Sequence, residues 1–147
     1  QTGVSITLAG CASGRLPSMS RGHACKLIDA GRQLGIALSR RQAAEVLENI
    51  GLTGYVAVAF SQPTTNRTVQ LEGVDARVVA FDPADEALMR HHIDDFVPEV
   101  VSLGTPEAMV RALFSYTLDD IVMVVFTPST GYDQTPGPKA GERLPAA

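Results

Sequence analysis

The sequence predicts an α+β domain, a small closed antiparallel β-barrel with helices at its periphery. About seven short apolar or alternating runs, bounded by Gly, Pro, Asn, Asp or Ser, read as strands. Three intervening stretches change to helical spacing behind N-terminal capping residues. The size agrees: 147 residues, 45% of them hydrophobic and only 19% charged, are enough for one well-packed core.

In chain order, Val4 to Ala9, His23 to Ile28 and Leu34 to Leu38 are the first strands, with Asp29-Ala30-Gly31-Arg32 turning between the last two. At Ser39-Arg40-Arg41-Gln42 the period changes. This is a capping box, with the Ser39 hydroxyl on the free helix amides and Gln42 reaching back. Ala43, Val46, Leu47 and Ile50 then recur on one helical face, and Gly51 is the expected stop. Tyr55 to Phe60 fits a strand covered on both faces. After the loop Ser61 to Asn66, Arg67 to Val74 alternates strictly: Val69 and Leu71 on one face, Thr68, Gln70 and Glu72 on the other.

Asp82-Pro83 opens a second helix with an inward stripe of Leu88, Ile93, Phe96 and Val97, which Pro98 should end or kink. Thr105-Pro106-Glu107 opens a third, carrying Met109, Val110, Leu113 and Phe114, and Ile121 to Phe126 is the last strand. No repeat or central linker divides the chain. Residues 1–134 therefore read as one domain and 135–147, rich in Pro and Gly, as an irregular tail.

Twelve Lys and Arg against 16 Asp and Glu leave a net charge of −4, which gives no electrostatic reason to bind nucleic acid or an anionic membrane. No apolar run approaches the roughly 20 residues of a membrane helix, and no secretory signal stands at the start. Cys11 and Cys25 are too few for a disulfide framework and read as reduced thiols of a cytoplasmic protein. His91-His92 are adjacent, so on a helix they diverge by about 100° and read as a surface face rather than metal ligands. There is no Ser/His/Asp set, Rossmann fingerprint or P-loop.

Three stretches carry candidate chemistry. The strand-to-helix junction at Ser39 presents free N–H groups at the positive end of a helix, and Arg40 and Arg41 add guanidinium forks that suit a phosphate; the alternative is a solvated first turn. Thr68 and Gln70, beside Arg67, could bond a flat heterocycle or be the wet face of an antiparallel strand. Ser18 to Lys26 reads as a strand carrying Arg21, His23 and Lys26, or as an edge strand blunted by charge.

Together these stretches resemble the pyridoxamine 5′-phosphate oxidase-like family of FMN-binding split barrels, from about Leu16 to Val79. Arg21 and Lys26 match the family's Arg and Lys that meet the flavin. Ser39-Arg40-Arg41 stands in place of its phosphate-holding Ser-Arg-Lys triplet. Arg67-Thr68-Val69-Gln70 with Gly73 is similar to an Arg-Gln-Val strand that reaches the flavin from the partner subunit. The chain departs from the pattern at Arg41 for Lys, at Thr68 for Gln and at Ala37-Leu38 for an aromatic-Thr pair. It also lacks the C-terminal Arg-x-His motif of true pyridoxamine phosphate oxidases.

The resemblance implies a split-barrel homodimer with FMN in a cleft between subunits, its phosphate at Ser39, Arg40 and Arg41. Arg21 and Lys26 would line one wall, with Thr68 or Gln70 of the partner completing it. The implied activity is hydride or electron transfer on a small substrate or donor, with no residue assigned as general acid or base. Alternatives are a flavin-storing or flavin-free binding module, and a deazaflavin or haem-like ligand.

Overall fold

The computed structural model describes residues 3–145. Ten strands and three α-helices occur among them, in the order β1 Ser5–Gly10, β2 Ser18–Arg21, β3 Ala24–Ile28, β4 Gln33–Ser39, α1 Ala44–Thr53, β5 Val56–Ser61, β6 Thr68–Gly73, β7 Arg77–Ala80, α2 Glu86–Val101, α3 Glu107–Leu113, β8 Ile121–Phe126, β9 Thr130–Asp133 and β10 Glu142–Arg143. The strands form two antiparallel sheets, β10-β9-β6-β5-β1-β2 and β3-β4-β8-β7, so the barrel is split rather than closed. The α+β class and peripheral helices hold.

One crossing explains the split. The run Ser18 to Lys26 is two strands in different sheets, not one. Gly22 N–H still bonds the Ile6 carbonyl of β1 at 2.8 Å, while the next amide, of His23, bonds the Ala37 carbonyl of β4 at 2.7 Å. Only glycine fits at that corner, because a Cβ on Gly22 would lie 2.7 Å from Ile6 Cγ2 and 2.9 Å from Ile36 Cγ2.

The main core fills the barrel. Ile6 and Leu8 of β1, Leu34, Ile36 and Leu38 of β4, Val56 and Val58 of β5, and Val124 and Phe126 of β8 meet Val46 and Ile50 of α1. Strand β8 is buried along its whole length, since Val124 and Phe126 face this core while Ile121 lies in a second cluster with Met89 of α2 and the small residues Ala24 and Ala37. A third cluster joins α2 to α3 through Ile93, Phe96, Val97, Val110 and Phe114. Helix α2 thus covers the outer side of the four-stranded sheet, and α3 packs on α2.

Several local expectations are corrected. Helix α1 runs past Gly51 to Thr53 and stops at Gly54, whose φ of 70° and N–H bond to the Ile50 carbonyl make the left-handed cap. Pro98 neither ends nor breaks α2, because the helix is fixed on both sides of it by packing, from Phe96 and Val97 to half-buried Val100. Met89 rather than Leu88 is the buried residue of α2's first turn. On α3 only Val110 and Phe114 point inward, with Met109 and Leu113 exposed. Ala57 and Ala59 leave β5 half-covered on one face, and β6 is half-buried on both faces up to Gly73. Short strands β7 and β9, and β10 beyond Gln134, lack the alternation that would reveal them; β10 pairs with β9.

Candidate cofactor-binding site

The expected helix cap at Ser39 is corrected: α1 begins at Ala44 with Ala43 at its cap and no side-chain cap bond, and Ser39 instead opens the turn of residues 40–43 that leads into the helix, its carbonyl accepting the Ala43 N–H at 3.0 Å. Ser39 is buried, and its Oγ accepts the Gln42 N–H at 3.3 Å. Among the described residues no return bond from the Gln42 side chain forms; the further partner of this turn is Asp120, just before β8. Ser39 Oγ–H donates to the Asp120 carboxylate, which also accepts the Arg41 N–H at 3.2 Å. Arg41 Nε lies 3.5 Å from the same carboxylate, and the Arg40 N–H bonds the Asp120 carbonyl at 2.7 Å. Antiparallel pairing of Ser39 with Ile121 sets Asp120 there. Donation by Ser39, and then the bonds and charge of Arg41, hold the Asp120 carboxyl below the usual carboxylate range, so it is ionised at neutral pH.

The donors of the turn before α1, the Ser39 hydroxyl and the Arg41 N–H, are therefore already engaged by the chain's own carboxylate. Outside it, Ser39, Arg41, Gln42, Ser115 and Asp120 line an open pocket of about 360 Å³. The Arg41 side chain is 80% exposed and Arg40 is exposed, and among the described residues Arg40 has no ion pair. The Arg41 guanidinium therefore lines the pocket with one side on Asp120 and the rest exposed, while the Arg40 side chain is exposed outside the pocket lining.

Arg21 reaches the same neighbourhood by another route. Its guanidinium carbon lies 5.2 Å from the centroid of the Phe114 ring, a cation–π arrangement. Phe114 precedes Ser115 of the pocket. Beneath this segment His23 is fully buried, edge-on to Phe114 at 5.6 Å and to Tyr116 at 6.3 Å, and neither ring nitrogen has a hydrogen-bond partner. Burial, reinforced by the charge of Arg21 and by His92, pushes the His23 pKa down to about 4 against the opposing pull of Asp120.

Lys26 is placed elsewhere, near the start of α2, with Nζ on both Asp85 carboxylate oxygens at 2.8 and 2.7 Å. Thr68 and Gln70 lie on the six-stranded sheet. The Thr68 hydroxyl is 2.7 Å from that of Ser61 and donates to the Asn66 carbonyl, and the Gln70 amide donates to Glu72 at 2.9 Å. Within one chain the structure thus gathers Arg21, Ser39, Arg40 and Arg41 around Phe114–Asp120 and leaves Lys26, Thr68 and Gln70 in other settings. The sequence reading missed Asp120. Asp119-Asp120 ahead of an apolar strand looks like any turn, and only the long-range pairing of β4 with β8 sets it against Ser39.

Other groups carry less chemistry. Cys11 and Cys25 are free thiols, and burial pushes the Cys25 thiol up to about 11. His91 is exposed beside Asp95 at 3.2 Å, whereas His92 turns inward, stacks on Phe96 and leaves Nε2 unpartnered. Among the described residues no group of three or more His, Cys, Asp or Glu could hold a metal ion, and no helix is long and apolar enough to cross a membrane.

No family model matches the chain, and no curated protein matches it in sequence. Solved structures do. HupZ of Group A Streptococcus is 13% identical, with 94% of this chain and 90% of that one covered at a TM-score of 0.53. A pyridoxamine 5′-phosphate oxidase-related, FMN-binding protein of Nostoc punctiforme is 12% identical over 97% and 87%, at 0.49. General stress protein 26 of Bacillus anthracis is 14% identical over 99% and 92%, at 0.49. At such identities the likeness, carried by HupZ at 0.53, is one of architecture alone: two antiparallel sheets with covering helices, a split β-barrel.

Proposed function

We propose that the chain is a flavoprotein of the pyridoxamine 5′-phosphate oxidase-like family that binds FMN between two copies of itself and serves as a flavin-dependent oxidoreductase. The observation that supports this reading is the two exposed guanidinium groups at the β4–α1 junction, Arg41 lining an open polar pocket with one side on Asp120 and Arg40 next to it in sequence. Two exposed forks next to a helix start are suited to the oxygens of a phosphate monoester. When bound, FMN supplies hydride or electron transfer, and this chain's residues bind and orient it and exclude water.

The fit differs between the two halves of the cofactor. The phosphate suits Arg40 and Arg41, though the Arg41 amide and the Ser39 hydroxyl already serve Asp120. The ring has no free wall on β4, since Ala37 and Leu38 are fully buried, Ala37 in the cluster with Met89. A ring site therefore depends on a cleft completed by a second copy, with Thr68 or Gln70 as its contribution. Absorption spectra of the purified protein and titration with FMN, with mass from light scattering, test this reading. A dimer that takes up one FMN per chain supports it; a colourless protein that neither retains nor binds flavin refutes it.

A second reading, a flavin-free or flavin-storing binding module without turnover, is favoured by two ties: Lys26 is held by Asp85 and Ser39 by Asp120, so two proposed cofactor groups are already engaged. Reduction of bound flavin by NADH or NADPH separates the two readings. Turnover supports the oxidoreductase, and binding without reduction supports the module.

A further inference from the structure

Resting on the reading of Arg21, Ser39 and Arg41 as cofactor-binding groups, we infer that the segment Phe114–Asp120 is a built-in occupant of their site, which a phosphate-bearing heterocycle must displace in order to bind. Three contacts carry the inference. At one end the flat ring of Phe114 lies under the Arg21 guanidinium, 5.2 Å from ring centroid to carbon. At the other, the Asp120 carboxylate takes the Ser39 hydroxyl, the Arg41 N–H and the near side of the Arg41 guanidinium, the donor set a phosphate would use. An aromatic face and an anion, six residues apart, thus sit where a heterocycle and its phosphate would.

The third contact lies under the segment. His23 is fully buried against Phe114 and Tyr116, which give neither of its ring nitrogens a partner. A buried imidazole without a hydrogen bond is a costly arrangement. A heterocycle with polar edge atoms in place of Phe114 would give it one. The segment is anchored at Phe114, which packs with Phe96 and Val110, and at Tyr116, which is half-buried and bonds Glu86 through its hydroxyl at 3.1 Å, while Ser115 and Thr117 to Asp119 are exposed. An ionised Asp120 repels a dianionic phosphate at the same donors, so binding requires the segment to move.

The test compares wild type with Asp120→Asn, which keeps the side chain's size and removes its charge, and with Asp120→Ala. Inorganic phosphate is the first probe, read as the change in melting temperature between no phosphate and saturating phosphate within each variant, so a lower starting stability does not disturb the readout. The variants are expected to bind phosphate at least tenfold more tightly than wild type; equal phosphate dependence in all three overturns the inference. FMN is the second probe, read by amide hydrogen exchange in the wild type. Faster exchange at Ser115–Asp120 on FMN saturation supports displacement, and unchanged or slower exchange overturns it. If no form binds FMN while the variants gain phosphate, the flavin reading fails and the occupancy of the anion seat stands.

Discussion

Acid should loosen this protein well before its carboxylates titrate, and His23 is the cause. The imidazole is fully buried with a pKa near 4, against 6.5 in the unfolded chain. Above about pH 6.5 both states hold it neutral and it adds no pH dependence. Below that, the unfolded chain takes a proton that the native state refuses until about pH 4, so stability falls as pH falls. For one such group, linkage gives a loss of about 1.8 kcal/mol between pH 7 and pH 5, and about 3.4 kcal/mol once pH is below both values. Asp120, Asp75 and Asp133 have lowered pKa values, so their losses begin near or below the ordinary carboxylate range, and the window from pH 7 to 5 isolates the histidines. His92, also lowered by burial, adds in the same direction. Urea unfolding at several pH values, for wild type and His23→Leu, measures this. The variant should have a slope reduced by most of that 1.8 kcal/mol and, having lost an unpartnered polar ring, should equal or exceed wild-type stability at pH 7. Identical slopes in the two proteins would refute the reasoning.

Three other outcomes follow from the geometry. Arg41→Ala should weaken FMN binding by roughly 1.5–3 kcal/mol, about tenfold or more, in a fluorescence titration, and an unchanged affinity removes Arg41 from the site. Gly22→Ala forces a Cβ to within 3 Å of both Ile6 and Ile36 and should cost about 1–3 kcal/mol by denaturant unfolding; a neutral result would mean the corner is looser than the contacts imply. Pro98→Ala restores a backbone donor inside α2 and should raise the melting temperature, by a stabilisation of up to about 3 kcal/mol, whereas a drop would show that the proline ring itself is needed there.

How much of this was legible beforehand depended on the range of the interaction. Ile121–Phe126 and the strand at Gln33–Ser39 were plain because continuous apolar runs flanked by turn residues have few other solutions. The Ser39 hydroxyl's bond to the Gln42 N–H was legible because it spans three residues, although the helix itself starts later, at Ala44. The corner at Gly22–His23 was not, since the residues on both sides favour strand and the change of sheet is decided by contacts with Ile6 and Ile36. Helix α2 outlasted Pro98 for the same reason: tertiary contacts outweighed a local rule. Of the site, Ser39, Arg40 and Arg41 announced themselves through a local pattern. Asp120 and the burial of His23 under Phe114 depend on neighbours about 80 to 90 positions away and leave no local trace.

The ladder between β4 and β8 joins Leu34 to Phe126 at one end and Ser39 to Ile121 at the other, with more than half the polypeptide looped out between them. Closing so long a loop is slow, because its entropy is lost before any contact rewards it. The pocket at the β4–α1 junction needs groups from both ends of that loop, so it comes into being with this late closure and not earlier. A nascent chain that has emerged only as far as α3 carries both arginines and the Ser39 hydroxyl but not yet Asp120, the residue that engages them.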